Sequence, residues 1–459
     1  MTSEPSLDWR RRGLRLAGLY VAGIISFVVL LTAVYSLPQA PIEANLRESL
    51  TRLQYEGPYA VVMVDHPAFL LDNYTDALMA DTALSDSGDS AFIAAMAAKH
   101  SVPGTGSPID GLRSTLARAD VARDSYAYYW HGYQVLLRPA LEFMTLGEIR
   151  QANVIAFGLL LLGTLLFMHR RVGTRITAFF AVSLLAVGAY VVPLSLQFSG
   201  MFYLTLVATL AVVALRARGR LPAVETELFF AVGMLAAFID LLTTPLITFA
   251  LPLVVLLAAD ARRADGPSLA AAGLRVLRTG AAWAVGYAGT WVTKWVIASA
   301  VLDFDFVGRA WNQVLLRTAM DGGPPLAGQA LGFALSDLVP FAPLSGQPLK
   351  AAGLVAVVAL LACGAAFVFA LARTGSEAME HVRRASAVLL VTPLPYLWFT
   401  IAANHTVNHH YFTYRIQAPA IFAILFFTAA ALWPERPVAP ASPVAEDRSG
   451  QMERRLQQG

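Results

Sequence analysis

The amino-acid sequence predicts an all-α polytopic membrane protein, and three observations carry that prediction. Of its 459 residues, 57% are apolar and only 14% are charged, where globular chains carry about 25% charged residues. A soluble fold cannot hide that much apolar surface, so lipid must serve as solvent. The apolar residues gather into about ten runs, some of them shorter than the roughly 20 residues that a crossing helix needs. Arginines alternate between the loops that join those runs.

The runs cover residues 16–37, 152–168, 176–194, 201–215, 226–240, 245–259, 279–302, 351–372, 386–403 and 416–433. Arg10, Arg11, Arg12 and Arg15 precede the first, as in a signal peptide. The run is too long for one, however, and lacks a small-residue cleavage site before a polar segment, so it reads as a retained first helix. Arg170, Arg171 and Arg175 follow the second run, and Arg216, Arg218 and Arg220 the fourth. Arg262 and Arg263 follow the sixth, and Arg373, Arg383 and Arg384 the eighth. Loops 195–200, 241–244 and 404–414 contain no Lys or Arg. The positive-inside rule then puts both termini in the cytoplasm, and an even helix count agrees.

The organisation that follows is a basic cytoplasmic segment at 1–15, a transmembrane domain at 16–433 and a tail at 434–459. The tail is rich in Pro, Ala and charge and is expected to be disordered. Two segments, 38–151 and 303–350, fall outside the membrane on the far side. The first is too long for a connector, and long ordered loops are usually functional. Leu46, Leu50 and Leu53 share one face of a short helix within it, and Ala77, Leu78, Ala80 and Leu84 suggest a second. In the other segment, 306–320 is amphipathic, with Arg309, Gln313 and Arg317 on one face and Val307, Val314 and Leu315 on the other. Such a helix suits the interface. Cys363 is the single cysteine, so no disulfide within the chain is possible. No internal repeat is visible, which weighs against an inverted-repeat transporter.

The strongest local chemical signal is Asp72-Asn73-Tyr74-Thr75-Asp76. Carboxylates four apart share a helix face, and at a membrane rim a carboxylate can take a proton from a hydroxyl or hold a divalent cation. The plainer reading is that Asp72 or Thr75 caps the helix that follows. Asp65 and His66 are a second acidic option, while Asp81, Asp86 and Asp89 read as solvated surface. In residues 128–139, Tyr129 and His131 fit an interfacial aromatic belt. Arg138 does not, because it sits among Val135, Leu136, Leu137 and Leu141. It wants an anionic partner, either a phosphate or a carboxylate such as Glu142 or Glu148.

Asn404, His405, His409 and His410 form a third group, ahead of Arg415. Three histidines invite a metal reading, but without a fixed third ligand zinc is poorly supported, and sugar hydroxyls or a phosphate suit these groups equally well. Asp240 and Lys294 lie within or beside apolar runs. Intramembrane ionisable groups are functional suspects by default, although the two could also pair with each other or Lys294 could snorkel.

These motifs resemble the GT-C superfamily, membrane glycosyltransferases that use polyprenyl-phosphate sugars. A narrower resemblance, to an uncharacterised family of bacterial membrane proteins often assigned to GT-C, rests on five stretches. They are Asp72–Asp76, Tyr129-Trp130-His131-Gly132-Tyr133, Arg138-Pro139, residues 238–245 and residues 404–415. The resemblance implies a GT-C-like fold and an inverting hexosyl or pentosyl transfer to cell-envelope glycan, with Asp72 or Asp76 as the base. Arg138, Lys294, Arg309 and Arg415 are then the cations for a departing lipid phosphate. Tyr129, His131, Asp240, Asn404, His405 and His409 are the substrate-binding candidates. The partners implied are a polyprenyl-phosphate-linked sugar donor, a glycan or lipid-linked acceptor and membrane lipid, and no nucleic acid. A divalent cation (Mg or Mn) is the one optional cofactor, and no residue is assigned to a metal. Alternatives are an O-antigen-type polymerase or ligase, which generally keeps its large loop later in the chain, and a lipid-linked glycan flippase.

Overall fold

The computed structural model describes residues 9–63, 65–102, 106–119, 121–263, 265–318, 326–339, 347–372 and 376–433. The predicted disordered tail and Met320 lie outside the described residues.

Helix α1 (Trp9–Tyr35) contains most of the first apolar run. A layer of short elements follows: α2 (Gln39–Glu56), α3 (Asn73–Asp81), α4 (Ala91–Ala97), α5 (Pro108–Leu116) and α6 (Gln134–Leu141). Strands β1 (Lys99–Ser101) and β2 (Arg123–Ser125) pair antiparallel, with His100 opposite Asp124. The bundle continues through α7 (Leu146–Val172), α8 (Thr174–Ala186), α9 (Leu196–Ala217), α10 (Leu221–Ile239), α11 (Ile247–Ala261) and α12 (Leu269–Leu302). Two shorter helices, α13 (Phe306–Arg317) and α14 (Ala327–Ser336), precede α15 (Pro348–Ala372), α16 (Ser376–Ala385) and α17 (Pro393–Ile401). The chain then bends through α18 (Ala403–Asn408) and α19 (His410–Thr413) into α20 (Ala418–Leu432).

Among the described residues, 7 helical stretches are long and apolar enough to cross a membrane: Arg10–Tyr35, Leu146–Val172, Leu196–Ala217, Leu221–Ile239, Pro348–Ala366, Val382–Ile401 and His410–Leu432. Two further apolar helices, α8 and α11, are shorter. The run at 279–302 lies within the 34-residue α12, where Gly, Thr, Trp and Lys294 dilute its apolar character. Helix α11 is buried almost all round, which explains why its sequence shows no polar stripe. Helices α10 and α12 meet backbone to backbone. A Cβ on Gly233 would lie 2.1 Å from the Trp283 carbonyl oxygen, and one on Gly286 would lie 2.3 Å from that of Phe230. Small residues permit this approach, and close packing is what joins helices where lipid supplies no hydrophobic drive.

The two ends of the bundle differ in chemistry. At one end Arg275 and Arg278 both reach Glu225 at 2.6 Å, and Arg216 meets Asp260 at 2.8 Å. Arg262 donates to the Val172 carbonyl at 2.7 Å, and Arg384 to that of Arg263 at 2.7 Å. The alternating arginines of the sequence thus converge on one face. At the other end, where α10 finishes at Ile239, sits the loop layer, with Leu46, Leu53, Ala80, Leu112 and Leu141 in one core that also includes Leu241 and Leu242. The expected face of α2 is realised, with Leu50 packed at its margin. Asp81 is a correction: it is 1% exposed rather than solvated, accepting from Ser101 N and Thr115 Oγ1 at 2.7 Å.

Candidate functional site

Asp72 and Asp76 share a helix face but have different environments. Asp72 is the N-cap of α3: Oδ1 accepts from Thr75 N at 2.9 Å and Oδ2 from Thr75 Oγ1 at 2.9 Å. It is 0% exposed. Burial pushes its carboxyl up to about 7, although the Thr75 bonds oppose that shift. Asp76 accepts from the backbone amides of Leu196 at 3.1 Å and Gln197 at 3.0 Å and from Ser195 Oγ at 3.2 Å, with Arg150 at 3.6 Å. Asp76 therefore caps α9 across the layer, its charge resting on the positive end of that helix. Both carboxylates accept from N–H and O–H donors of the protein.

The groups around Asp72 open onto a cavity of about 350 Å³ between the loop layer and the end of the bundle. Tyr59, Tyr74, Tyr126, Tyr129 and Tyr411 supply most of its aromatic wall. Its polar groups include Gln197, Arg317, His405 and His409. Tyr59 and Tyr74 stack at 5.9 Å with planes 5° apart, leaving ring faces and hydroxyls as the lining. Convergent polar groups in an aromatic cleft are the usual form of a small-molecule site.

None of the four cations expected at a phosphate lines that cavity. Arg138 caps helix ends: Nε donates to the Val34 carbonyl at 2.9 Å, and the remaining nitrogens reach the carbonyls of Ala83 and Leu37. Lys294 donates to the Met96 carbonyl at 2.8 Å, and Asp240 is not its partner. Arg309 pairs with Asp124, joining α13 to β2. Arg415 donates to the carbonyls of Tyr411 at 2.9 Å and Ala68 at 3.0 Å, sandwiched by the rings of Phe198 and Tyr414 at 4.8 and 4.9 Å. Each is held by its own neighbours, although the buried Arg415 Nε finds no acceptor among the described residues.

Arg317 is the cation at the cavity. It sits at the last residue of α13, and its Nη1 meets His405 Nδ1 at 2.9 Å. Among the described residues no carboxylate lies within ion-pair distance of it. Tyr126 and Tyr129 line the same cavity. The sequence shows Arg317 only as part of an amphipathic face and Tyr411 only within the 404–415 stretch, while Tyr59 and Gln197 carry no local signal at all.

The substrate-binding candidates divide. Tyr129, His405 and His409 line the cavity. His131 lies behind it at 1% exposure, with Nε2 at 2.8 Å from the Tyr126 carbonyl and Nδ1 at 2.8 Å from the Tyr133 hydroxyl. It pins the aromatic segment, and the next residue must be glycine, since a Cβ on Gly132 would lie 2.5 Å from the Phe238 oxygen. Asp240 Oδ1 accepts from Thr243 N at 2.8 Å, while its Oδ2 faces no donor among the described residues. Asn404 donates outward to the Leu316 carbonyl at 2.8 Å. The three histidines do not converge. His405 and His409 are 4.7 Å apart, but His410 turns away to Asp337 at 2.8 Å. Burial lowers the first two, His409 to about 4, so both rings are neutral at pH 7. Among the described residues no three His, Cys, Asp or Glu side chains gather as a metal site would require. Comparison with family models, with curated proteins and with solved structures finds no match for this chain.

Proposed function

We propose that the chain is an inverting glycosyltransferase that takes a sugar from a polyprenyl-phosphate carrier and passes it to a cell-envelope glycan. The observation that carries the reading is the pairing of two groups across one aromatic cavity. Asp72 lies behind its wall, and Arg317, which has no acidic partner among the described residues, lies within it. Aromatic faces suit the apolar side of a sugar ring, and neutral His405 and His409 with Gln197 suit its hydroxyls. Arg317 has the fork geometry and the charge that a departing phosphate requires. A carboxylate poised near 7 is matched to receiving the acceptor's proton. Asp76, Arg138 and Lys294 serve the frame.

In this reading the chain crosses the bacterial inner membrane ten times, with the arginine end and both termini in the cytoplasm. The cavity then opens at the outer face, beside lipid, where a carrier can enter sideways. The test is native mass spectrometry of protein extracted in nanodiscs and loaded with polyprenyl-phosphate glucose, mannose or galactose. Retention of one of these by the wild type, and its loss in Arg317→Ala, supports the reading. Equal retention by both proteins, or by neither, removes Arg317 and the cavity from it. Lipid-linked intermediates in a deletion strain separate this activity from a polymerase, because glycan missing one sugar favours the transferase and unpolymerised complete repeats oppose it.

A further inference from the structure

A second cavity, of about 320 Å³, adjoins the first. The two share Tyr74, Leu78 and Tyr126 as a common edge. Beyond that edge they differ in origin and in chemistry. The first takes Gln197, Arg317, His405 and His409 from later in the chain and carries a charge. Every described residue lining the second falls between Tyr74 and Tyr128, in the loop layer, and none is Lys, Arg, Asp or Glu. We propose that this second cavity is an acceptor subsite, which holds the end of a neutral glycan chain. The proposal rests on the glycosyl-transfer reading above and gives the acceptor its place in it.

The lining suits a neutral, ring-shaped ligand. A phosphate wants a cation, and a metal ion wants carboxylates or several imidazoles. Among the described residues the second cavity offers neither, with His100 its one imidazole. Rings dominate instead. Tyr126 and Tyr128 meet at 4.8 Å with planes 82° apart, and His100 meets Tyr126 at 5.3 Å with planes 75° apart. Rings at right angles form a corner, which suits a ligand with an apolar face and a polar rim, as a sugar has. The volume is at the small end of ligand clefts, so the cavity takes the end of a chain and leaves the rest in water.

The walls are fixed by the loop layer itself. Ser101 N donates to Asp81 Oδ2 at 2.7 Å, and Ser101 Oγ meets Thr115 Oγ1 at 2.5 Å, which anchors β1 to α3 and α5. The Tyr128 carbonyl accepts from Trp295 Nε1 at 3.0 Å. The Arg309 guanidinium lies over the Tyr128 ring at 6.0 Å, its charge engaged by Asp124. Arg309, expected at a lipid phosphate, thus positions a ring. Val102 lines the cavity and is 47% exposed, so the cavity reaches solvent there. A glycan seated in it runs out to water past Val102 and inward across the Tyr74–Tyr126 edge toward Arg317.

The experiment compares wild type, Val102→Trp, Tyr128→Ala and, as a surface control, Tyr55→Trp in nanodiscs. The acceptor probe is the oligosaccharide that mild acid releases from the envelope glycan of a deletion strain, fluorescently labelled and titrated by anisotropy. Donor retention is read in parallel by native mass spectrometry with polyprenyl-phosphate glucose, mannose or galactose. Wild type and Tyr55→Trp are expected to bind the oligosaccharide alike. Val102→Trp fills the cavity and Tyr128→Ala removes a wall, so each should weaken that binding about 10-fold while retaining donor as wild type does. Undiminished oligosaccharide binding in both variants, or none in wild type, overturns the subsite. If donor is still retained, and lost in Arg317→Ala, the transferase reading then stands without it. Joint loss of donor and oligosaccharide in both variants also overturns the subsite, because the two cavities would then act as one. Oligosaccharide binding that the two variants weaken, in a wild type that retains no donor, overturns the transferase reading and leaves a glycan-binding cavity.

Discussion

Arg317 Nη1 lies 2.9 Å from His405 Nδ1, and a guanidinium can only donate, so that ring nitrogen must accept. The proton of His405 therefore sits on Nε2, which donates to the Leu242 carbonyl at 2.7 Å. Leu242 holds a left-handed φ of 67°, a conformation that costs a leucine about 1–3 kcal/mol and persists where surroundings fix it. A neutral histidine thus orients the cation without discharging it.

Arg317→Ala is expected to weaken binding of a polyprenyl-phosphate sugar by about 30-fold or more, the scale of a lost desolvated charge contact. Arg317→Lys should recover only part of this, since a point charge lacks the fork. His405→Ala, which frees the guanidinium to turn, should fall between wild type and Arg317→Ala. Titration of donor into nanodisc-held protein measures all three.

Asp76→Ala is expected to fail by unfolding. It removes a buried partner of Arg150 and leaves the Leu196 and Gln197 amides without an acceptor. Breaking such a buried pair costs about 3–5 kcal/mol. Thermal unfolding in detergent should show a large loss for Asp76→Ala and a small one for Asp72→Asn, whose amide oxygen can still cap α3.

Arg138→Ala should behave as a structural lesion too. It leaves the carbonyls of Val34, Ala83 and Leu37 without their donor, at about 1–3 kcal/mol for each buried group left unsatisfied. Lower yield with unchanged donor affinity in the surviving protein is the expected result. Loss of affinity at normal yield would return Arg138 to the site.

Activity should rise with pH through an acid limb near 7, where the Asp72 carboxyl titrates. The stability effect has the opposite sign. Burial raises the folded value from 3.8 to about 7, so between those values the folded chain binds more protons than the unfolded one. Stability therefore falls as pH rises through that window, and Asp72→Asn should flatten the fall. Melting curves at pH 4, 5.5 and 7.5 (values chosen to bracket the window, about 4 to 7) check the sign.

Sidedness can be read with single cysteines, because Cys363 is the chain's one thiol. In a Cys363→Ala background, a cysteine at Tyr55, which is 92% exposed in the loop layer, should react with an impermeant maleimide added outside intact cells. One at Arg218, exposed at the arginine end, should react only after lysis. The reverse pattern inverts the topology.

What the sequence made legible followed from local physics. Long apolar runs and alternating arginines predict α1, α7, α9 and α10 and the convergence of Arg216, Arg262 and Arg384 on one face. The Asp72–Asp76 motif was legible as both a cap and a carboxylate pair, and the cap is present. Its division into a cavity carboxylate and a helix lock was not, because the deciding groups are the amides of Leu196 and Gln197, about 120 residues along the chain. Arg138 was legible as a cation in apolar company that needs acceptors. That its acceptors are the carbonyls of Val34, Leu37 and Ala83 depends on where those helices end in space, which no spacing in the sequence encodes. Arg317 was hidden for the converse reason: an amphipathic helix explains an arginine on its polar face without any ligand.

The most direct test of the central claim is envelope-glycan composition in a deletion strain complemented with wild type or Asp72→Asn, with protein levels matched by immunoblot. The account predicts that wild type restores one sugar missing from the deletion strain's glycan, and that Asp72→Asn, present at a normal level, restores none. Complete glycan in the Asp72→Asn strain would contradict it.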